Sequence, residues 1–467
     1  MMQATLREVS VWCGSSSFPK AQEAGDMTAS GVSTDTRTLK PGQLFVPLVG
    51  ERFDGHDHLA AAEAAGAVAA LWREDRPPAP TKLPLILVND TLEALQRLAE
   101  AYLDRLGAKV VGVTGSNGKT TTKDLIASVL STAYKVVKTE GNFNNHIGLP
   151  LTILRAPADA EVLVLEMGMS GFGEISLLTK LAKPQVAVIT NIGESHLLQL
   201  GSRRNIARAK LEIAEGLREG GALIYNGDEP LLAEELAASP VRGDIEKITF
   251  GAGEPCDVRL GEARPTEQGG EFYVADEPDF LYSIPVPGRH NALNSLAAIA
   301  AGKLLGLSRE SIAKGLASAP MTGMRIERSK AWNGADVLND AYNASPTSVR
   351  AAIDLVASLK PVGKRWVVLG DMLELGPDEA EFHAGIGRYL NGGKAEAVLA
   401  YGPLSKRIAE EAAQGFPAGA VKHYDDKDQL IADLIAQLKP DDLVLVKASR
   451  GMKLEQVVSA LHKGVVG

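Results

Sequence analysis

From residue 89 onward, short apolar runs alternate with stretches in which apolar residues recur every three or four positions. Val110–Val113, Val162–Leu165, Val186–Ile189 and Ala222–Tyr225 are such runs. An unbroken apolar run of this length predicts a strand buried on both faces, and the stretch behind it predicts a helix covering that strand. Their repetition predicts an α/β fold with a mostly parallel sheet between helices. Before residue 89 short strands mix with an alanine-rich helix expected over Leu59 to Ala70, and Arg76-Pro77-Pro78-Ala79-Pro80 reads as a loop near a boundary. Between about 247 and 286 short β-like pieces with Gly and Pro turns take over, and a helix is expected from Asn291 to Leu305. After Thr322 the alternation resumes, with apolar runs at Val337–Asn339, Arg365–Leu369, Ala397–Ala400 and Leu443–Val446. The pattern therefore divides the chain into three domains, residues 1–88, 89–322 and 323–467, as a length of 467 residues also suggests.

One of these strand-to-helix junctions carries chemistry. Val110-Val111-Gly112-Val113-Thr114 runs into Gly115-Ser116-Asn117-Gly118 and then Lys119-Thr120-Thr121-Thr122. Glycines let backbone N–H groups curl around an anion, the helix aims its positive end at it, Lys119 neutralises oxygens and the Thr120 hydroxyl reaches Mg²⁺. A nucleoside triphosphate is the expected ligand. The usual phosphate-loop spacing needs glycine at position 113, where this chain has Val113, and that departure disfavours ordinary GTPases and motor ATPases.

Other apparent strands end in polar residues, where open α/β sheets place their ligands. Glu166 follows Val162–Leu165, and Asn191 and His196 follow Val186–Thr190. A carboxylate and an imidazole at neighbouring strand ends can ligate a metal that bridges phosphates, although either residue alone is more often structural. Lys210, in a helical stretch soon after His196, reads by itself as an ordinary surface lysine.

Net charge of −9, with hydrophobic content of 45%, disfavours a general nucleic-acid or anionic-membrane binder, which needs a basic face. Cys13 and Cys256 stand too far apart to suggest a disulfide framework or a metal motif, and both are expected to be plain buried residues in a reducing cytoplasm. No apolar run approaches the roughly 20 residues of a membrane span, and the first residues lack a basic segment before an apolar core. A soluble, cytoplasmic protein is expected.

Several segments together resemble the Mur ligases, the ATP-dependent amide-forming enzymes of bacterial cell-wall precursor synthesis. They are Gly141-Asn142-Phe143-Asn144-Asn145-His146-Ile147-Gly148-Leu149-Pro150, Glu166-Met167-Gly168-Met169, Asp340-Ala341-Tyr342-Asn343-Ala344-Ser345-Pro346 and Gly370-Asp371-Met372-Leu373-Glu374-Leu375-Gly376. Within the family they are similar to the members that add D-alanyl-D-alanine to UDP-N-acetylmuramoyl-tripeptide. Ser33-Thr34-Asp35-Thr36-Arg37, Lys40-Pro41-Gly42-Gln43-Leu44-Phe45-Val46 and Asp54-Gly55-His56 resemble the UDP-binding domain of such enzymes.

The resemblance implies an N-terminal UDP-precursor domain, a central ATP-binding domain and a Rossmann-like C-terminal domain, with ATP and Mg²⁺ as cofactors. It assigns Gly115, Ser116, Asn117, Gly118, Lys119, Thr120 and Thr121 to the ATP phosphates. Thr120 and Glu166 would hold one Mg²⁺; His196 and a carbamate formed from CO₂ on Lys210 would hold a second. Lys119, Glu166, His196 and Lys210 are thus the expected catalytic set. Asn291 and Asn294 would contact adenine, while Arg325 and Asp340 would reach the γ-phosphate and ribose from the third domain. Ser33, Asp35, Thr36, Arg37, Asn142, Asn144 and Asn145 would bind the UDP substrate. Tyr342, Asn343, Lys447, Ser449 and Arg450 would bind the dipeptide, although Ala448 stands where the family usually has glycine. The implied partners are these small-molecule substrates and no nucleic acid, with the protein a monomer. A hinge for domain closure is expected near Thr322-Gly323, since Gly323 can absorb backbone rotation.

Two other readings stay open on sequence grounds. A folylpolyglutamate-synthase-like ligase shares the central fold but lacks the N-terminal UDP-type segment. A nucleotide switch would bind nucleotide without turnover that depends on a carboxylate and an amine.

Overall fold

The computed structural model describes residues 1–15, 24–77, 80–266, 268–359 and 361–465. Pro78 and Ala79, part of the expected boundary loop, lie outside the described residues. The fold is α/β, and its sheets consist mostly of parallel strands. Four short parallel strands form the N-terminal sheet, Val32–Ser33, Leu44–Phe45, Ala69–Arg73 and Leu85–Val88. Among the described residues the central sheet has nine strands. In it Lys109–Thr114 lies between Val162–Glu166 and Val186–Ile189, all parallel, with Val111 opposite Val186 and Val113 opposite Glu166. That register brings the Glu166 strand end beside the start of the phosphate loop.

One edge of this sheet continues into the antiparallel strands Val258–Thr266, Gly269–Val274 and Glu277–Ile284. These are the β-like pieces expected between 247 and 286. The C-terminal sheet has six strands, with Leu443–Lys447 between Asp336–Asp340 and Arg365–Gly370, all parallel.

Alternation along the buried strands divides the core into layers. Val111 and Val113 pack with Leu125 and Val129 of helix Lys119–Leu130 and with Leu296 and Ile299 of helix Arg289–Leu304. Leu163, Leu165 and Ile189 join Leu44, Leu71 and Ile86 of the N-terminal sheet in one continuous core on the other side. Val444 and Val446 face one C-terminal layer and Leu443 and Leu445 the other, as a period of two requires.

The alanine-rich helix is shorter than expected. It ends at Ala64, and Ala69–Arg73 is instead a strand with Ala69, Ala70 and Leu71 fully buried. Small apolar side chains fit a strand covered on both faces as well as a helix, and pairing with Leu85–Val88 decides between them.

Candidate active site

The carboxyl ends of the central strands open into a cleft of about 450 Å³ between the central and C-terminal domains. The phosphate loop forms its floor. A Cβ on Gly115, whose φ is 145°, would stand 1.8 Å from Thr190 Oγ1, so the turn closes onto its neighbour strand only because position 115 lacks a side chain. Ser116 N donates to Asn191 O at 2.9 Å, and Asn117 N donates to Asn191 Oδ1 at 3.0 Å. Asn191 Nδ2 and Thr190 Oγ1 both donate to Asn117 O, at 3.0 and 2.6 Å. Thr190 and Asn191 therefore template the loop, a role the sequence marks only by polar residues at a strand end.

Lys119 Nζ folds back to donate to Gly115 O at 2.8 Å. Burial pushes its ammonium below the usual lysine range, and Glu166 acts against that shift. Thr120 Oγ1 donates to one Glu166 oxygen at 2.8 Å and Asn144 Nδ2 to the other at 2.9 Å, within a site where Glu166 is 3% exposed. His196 takes a left-handed conformation, φ 65°, and its Nδ1 stands 3.2 Å from Glu374 Oε2 of the C-terminal domain without forming a hydrogen bond. Burial, with Lys210 and Lys119 nearby, pushes its pKa down to about 4, so the imidazole is neutral and its lone pair is available to a metal. Lys210 lies behind the cleft lining, 1% exposed, and its Nζ has no hydrogen-bond partner. Burial and Lys119 hold its amine well below the lysine range.

Mg²⁺ needs only one or two protein oxygens when phosphates and water complete its shell. The paired Thr120 hydroxyl and Glu166 carboxylate fit that requirement. Among the described residues no group of three or more His, Cys, Asp or Glu is arranged for a metal. An ion beside His196 would therefore need phosphate, water or a modified side chain.

Arg325, Asp340, Tyr342, Asn343 and Lys447 line the cleft from the C-terminal side, and Asn291 and Asn294 line it from helix Arg289–Leu304. The Arg325 guanidinium lies 4.2 Å over the Tyr342 ring, and its Nε is buried without a partner. Register sets Asp340 opposite Lys447 on adjacent strands, and Lys447 Nζ donates to Asp340 Oδ2 at 2.5 Å and to Asn343 O at 3.0 Å. Lys447, expected against the dipeptide, is thus tied to the residue expected against ribose. The two domains touch directly. Ser345 Oγ meets Asn117 Oδ1 at 3.1 Å, Thr347 Oγ1 donates to Glu194 Oε2 at 2.9 Å, and Leu198 N donates to Glu374 O at 3.2 Å. Glu194 and Glu374 were missed from sequence because their partners lie in another domain.

Of the remaining expected residues, only Asn144 and Asn145 belong to the cleft lining. Ser449 is 3% exposed and its Oγ accepts Leu373 N at 2.9 Å, so it braces a loop and does not face a ligand. Arg450 is exposed, 3.2 Å from Glu455 and 6.0 Å over the Tyr342 ring. Asn144 and Asn145 reach the lining, but Asn142 does not, and Asn145 Oδ1 caps helix Gly148–Arg155 by accepting Gly148 N at 2.8 Å. In the N-terminal sheet, Ser33 Oγ donates to Asp35 O at 2.9 Å while Thr36 sits half-buried beside it. The exposed Arg37 grips the Asp35 carboxylate with two nitrogens and pushes its pKa down to about 2.

Models of the Mur ligase family catalytic domain, the Mur ligase middle domain and the Mur ligase glutamate ligase domain match residues 28–103, 113–302 and 324–450. A Bacillus subtilis UDP-N-acetylmuramoyl-tripeptide--D-alanyl-D-alanine ligase is 52% identical over 92% of this chain and 93% of its own. The chain belongs to the Mur ligase family. The Escherichia coli ligase of the same name is 35% identical over 94% of this chain and 95% of its own. Among solved Mur ligases, a crystal structure of MurF from Acinetobacter baumannii superimposes with a TM-score of 0.88 at 29% identity, covering 99% of both chains. MurF from Thermotoga maritima in complex with ADP gives 0.81 at 30% identity, covering 93% of this chain and 98% of its own. A Mycobacterium tuberculosis folylpolyglutamate synthase shares the fold alone, at 18% identity and a TM-score of 0.59 over 77% of this chain and 91% of its own.

Proposed function

We propose that this Mur ligase joins D-alanyl-D-alanine to UDP-N-acetylmuramoyl-tripeptide with ATP, releasing ADP and phosphate and giving the UDP-muramoyl-pentapeptide precursor of peptidoglycan. The observation that carries the reading is 52% identity along nearly the whole chain to a ligase named for that reaction. The cleft suits the chemistry. A carboxylate is a poor electrophile, and moving the γ-phosphoryl group onto the tripeptide carboxylate converts it to an acyl phosphate with ADP as the leaving group. The dipeptide's neutral amine then attacks the acyl carbon, forming the amide and expelling phosphate, while the amine proton passes to a base or water.

The chain's own residues divide this work. Within the loop Gly115 to Thr121, the Ser116 and Asn117 N–H groups are taken by Asn191, and those of Gly118 to Thr121 at the start of helix Lys119–Leu130 hold phosphate oxygens. Lys119 releases its internal carbonyl contacts to neutralise the γ-phosphate, and Arg325 meets it from the opposite wall. Asn291 and Asn294 bound the adenine side; Asp340, held by Lys447, faces the ribose. Mg²⁺, when bound, offsets phosphate charge during transfer. Thr120 and Glu166 are its candidate ligands at one position, and His196 with Lys210 at another.

A buried amine kept uncharged is a nucleophile for CO₂; its nitrogen bonds the CO₂ carbon, one N–H proton leaves to water, and the resulting carbamate gives Lys210 a carboxylate-like oxygen. The orphaned Nζ supports that modification. Ser33, Asp35, Thr36, Arg37, Asn142, Asn144 and Asn145 form the proposed UDP-substrate side. Tyr342, Asn343 and Arg450 form the dipeptide side, with Lys447 and Ser449 bracing it. We assign the working units to residues 1–88, 89–322 and 323–467 of a cytoplasmic monomer. The test is phosphate release with a panel of UDP-muramoyl tripeptides and D-alanyl-D-alanine, with mass spectrometry of the product. Release that is independent of both acceptors would sink the reading.

A further inference from the structure

Helix Lys119–Leu130 carries a lysine and an aspartate, Lys123 and Asp124, that are 1% and 0% exposed. Neither has a place in the phosphate chemistry above. Burying two charges costs desolvation energy, so a mid-helix pair of this kind needs a structural or functional return. Its hydrogen bonds show where that return lies. Asp124 Oδ2 accepts Thr322 N at 2.8 Å and Thr322 Oγ1 at 2.7 Å, although Thr322 is 198 residues away in the chain. Asp124 Oδ1 accepts Lys138 Nζ at 2.5 Å and stands 3.2 Å from Lys123 Nζ. Burial disfavours charge on this carboxyl, and Lys123, Lys138 and Thr322 outweigh it, leaving Asp124 below the usual carboxylate range.

Lys123 continues the path. Its Nζ donates to Thr139 O at 2.8 Å, and the hydroxyl of the fully buried Thr139 accepts Glu166 N at 2.9 Å. Thr322 thus connects through Asp124, Lys123 and Thr139 to the backbone of Glu166. At the far end, Thr322 is the residue from which the chain leaves for the C-terminal domain. Beyond it Met324 and Ile326 both take left-handed conformations, with φ of 59° and 56°, on either side of Arg325. Such geometry in non-glycine residues is held only where the surroundings enforce it. With Thr322 fixed to the phosphate-loop helix, rotation of the C-terminal domain is confined to the residues after it.

The geometry points to Lys123 and Asp124 as positioning residues for ligation, which anchor the pivot of domain closure and, through Thr139, set Glu166 over Thr120. This rests on the reading of Glu166 and Arg325 as nucleotide-binding residues. Neither Lys123 nor Asp124 touches substrate in this role. They make one rigid frame of two groups that must meet the same triphosphate from different domains.

The test compares Asp124→Asn, Thr139→Val and Thr139→Ser with the wild-type chain. Thr139→Val removes the hydroxyl at nearly constant shape and should lower kcat about tenfold with all three substrate KM values within about twofold, and Thr139→Ser should recover most of the loss. Asp124→Asn frees the pivot and should reduce the compaction seen by small-angle scattering when an ATP analogue and UDP-muramoyl tripeptide are added. Because Asp124→Asn leaves Lys123 and Lys138 without their counter-charge and threatens folding, Thr139→Val carries the test independently. Wild-type kcat in Thr139→Val, whether or not Asp124→Asn folds, overturns the assignment and leaves the pair as scaffold. Wild-type compaction in a folded Asp124→Asn overturns the pivot. A wild-type chain that makes no pentapeptide overturns the ligase reading itself, a different result from a working ligase indifferent to Thr139.

Discussion

On the central-domain wall of the cleft, Ser116 Oγ, Asn117 Nδ2, His196 Nδ1 and, just behind, Lys210 Nζ are buried without hydrogen-bond partners. On the opposite wall, Lys447 Nζ is taken up by Asp340 and Asn343, and Ser449 Oγ accepts from Leu373 N. Except for Lys210, which lies in helix Arg203–Leu211, both sets stand at or after the ends of apolar strands, and the resemblance assigns ligand contacts to both. A buried polar group without a partner costs stability, so a cluster of them marks a place where something else supplies the bonds. The central wall is built to be completed by a ligand. On the C-terminal wall the strand-end groups are satisfied internally and only Arg325 Nε is left without a partner among the lining groups named above, with the exposed Arg450 and the Tyr342 ring at its rim.

The sharpest way to break this contrast is Lys119→Ala. Losing the charge partner of the γ-phosphate in a water-poor cleft should cost roughly 3 kcal/mol or more of transition-state stabilisation, at least about a hundredfold in rate. Phosphate release by a protein with unchanged circular dichroism measures it, and near-normal turnover would refute the role of the central wall. Lys210→Ala should also lose most activity and regain part of it with added short carboxylates, which replace the missing carbamate oxygens. An absence of rescue, with an unmodified Lys210 in a high-resolution map at neutral pH, would remove the carbamate.

On the opposite wall the expected effects are smaller and of two kinds. Arg450→Ala should raise KM for D-alanyl-D-alanine about tenfold and leave those for ATP and the UDP-sugar unchanged, since a guanidinium can pair both oxygens of the dipeptide's carboxylate. Ser449→Ala should instead cost about 1–2 kcal/mol of stability by orphaning Leu373 N, with little change in any KM. If the two variants exchange phenotypes, the distinction between rim and brace is wrong.

The smallest effect is on pH. His196 is neutral in the native protein down to about 4, while in the unfolded chain it takes up its proton near the ordinary value of 6.5. Between those limits only the unfolded state binds the proton, so acidification favours unfolding and stability returns as pH rises. The thermal midpoint should fall from pH 6.5 toward 4, by about 2–4 °C less in His196→Gln than in the wild type. An equal fall in both would place the acid sensitivity elsewhere.

Much of this architecture was legible because apolar runs with polar ends leave few alternatives. Val186–Ile189 is the strand its sequence suggests, and Val162, Ala222, Arg365, Ala397 and Leu443 each begin strands as expected. The alanine-rich segment misled because alanine suits a helix and a doubly covered strand alike. The pairing of Lys447 with Asp340, the reach of Glu374 to His196 and the seating of Thr347 on Glu194 depend on register and domain contact across more than a hundred residues. No local pattern encodes such meetings. The candidate phosphate loop stood out for the opposite reason, since its glycines, lysine and hydroxyls lie within a few consecutive residues.

The fit of Gly115 against Thr190 bears on drug resistance. Every side chain larger than hydrogen is shut out of position 115, because the first atom added would overlap Thr190 Oγ1. An inhibitor that takes its grip from the Gly115 backbone would face a surface that single substitutions at that position cannot reshape without dismantling the loop.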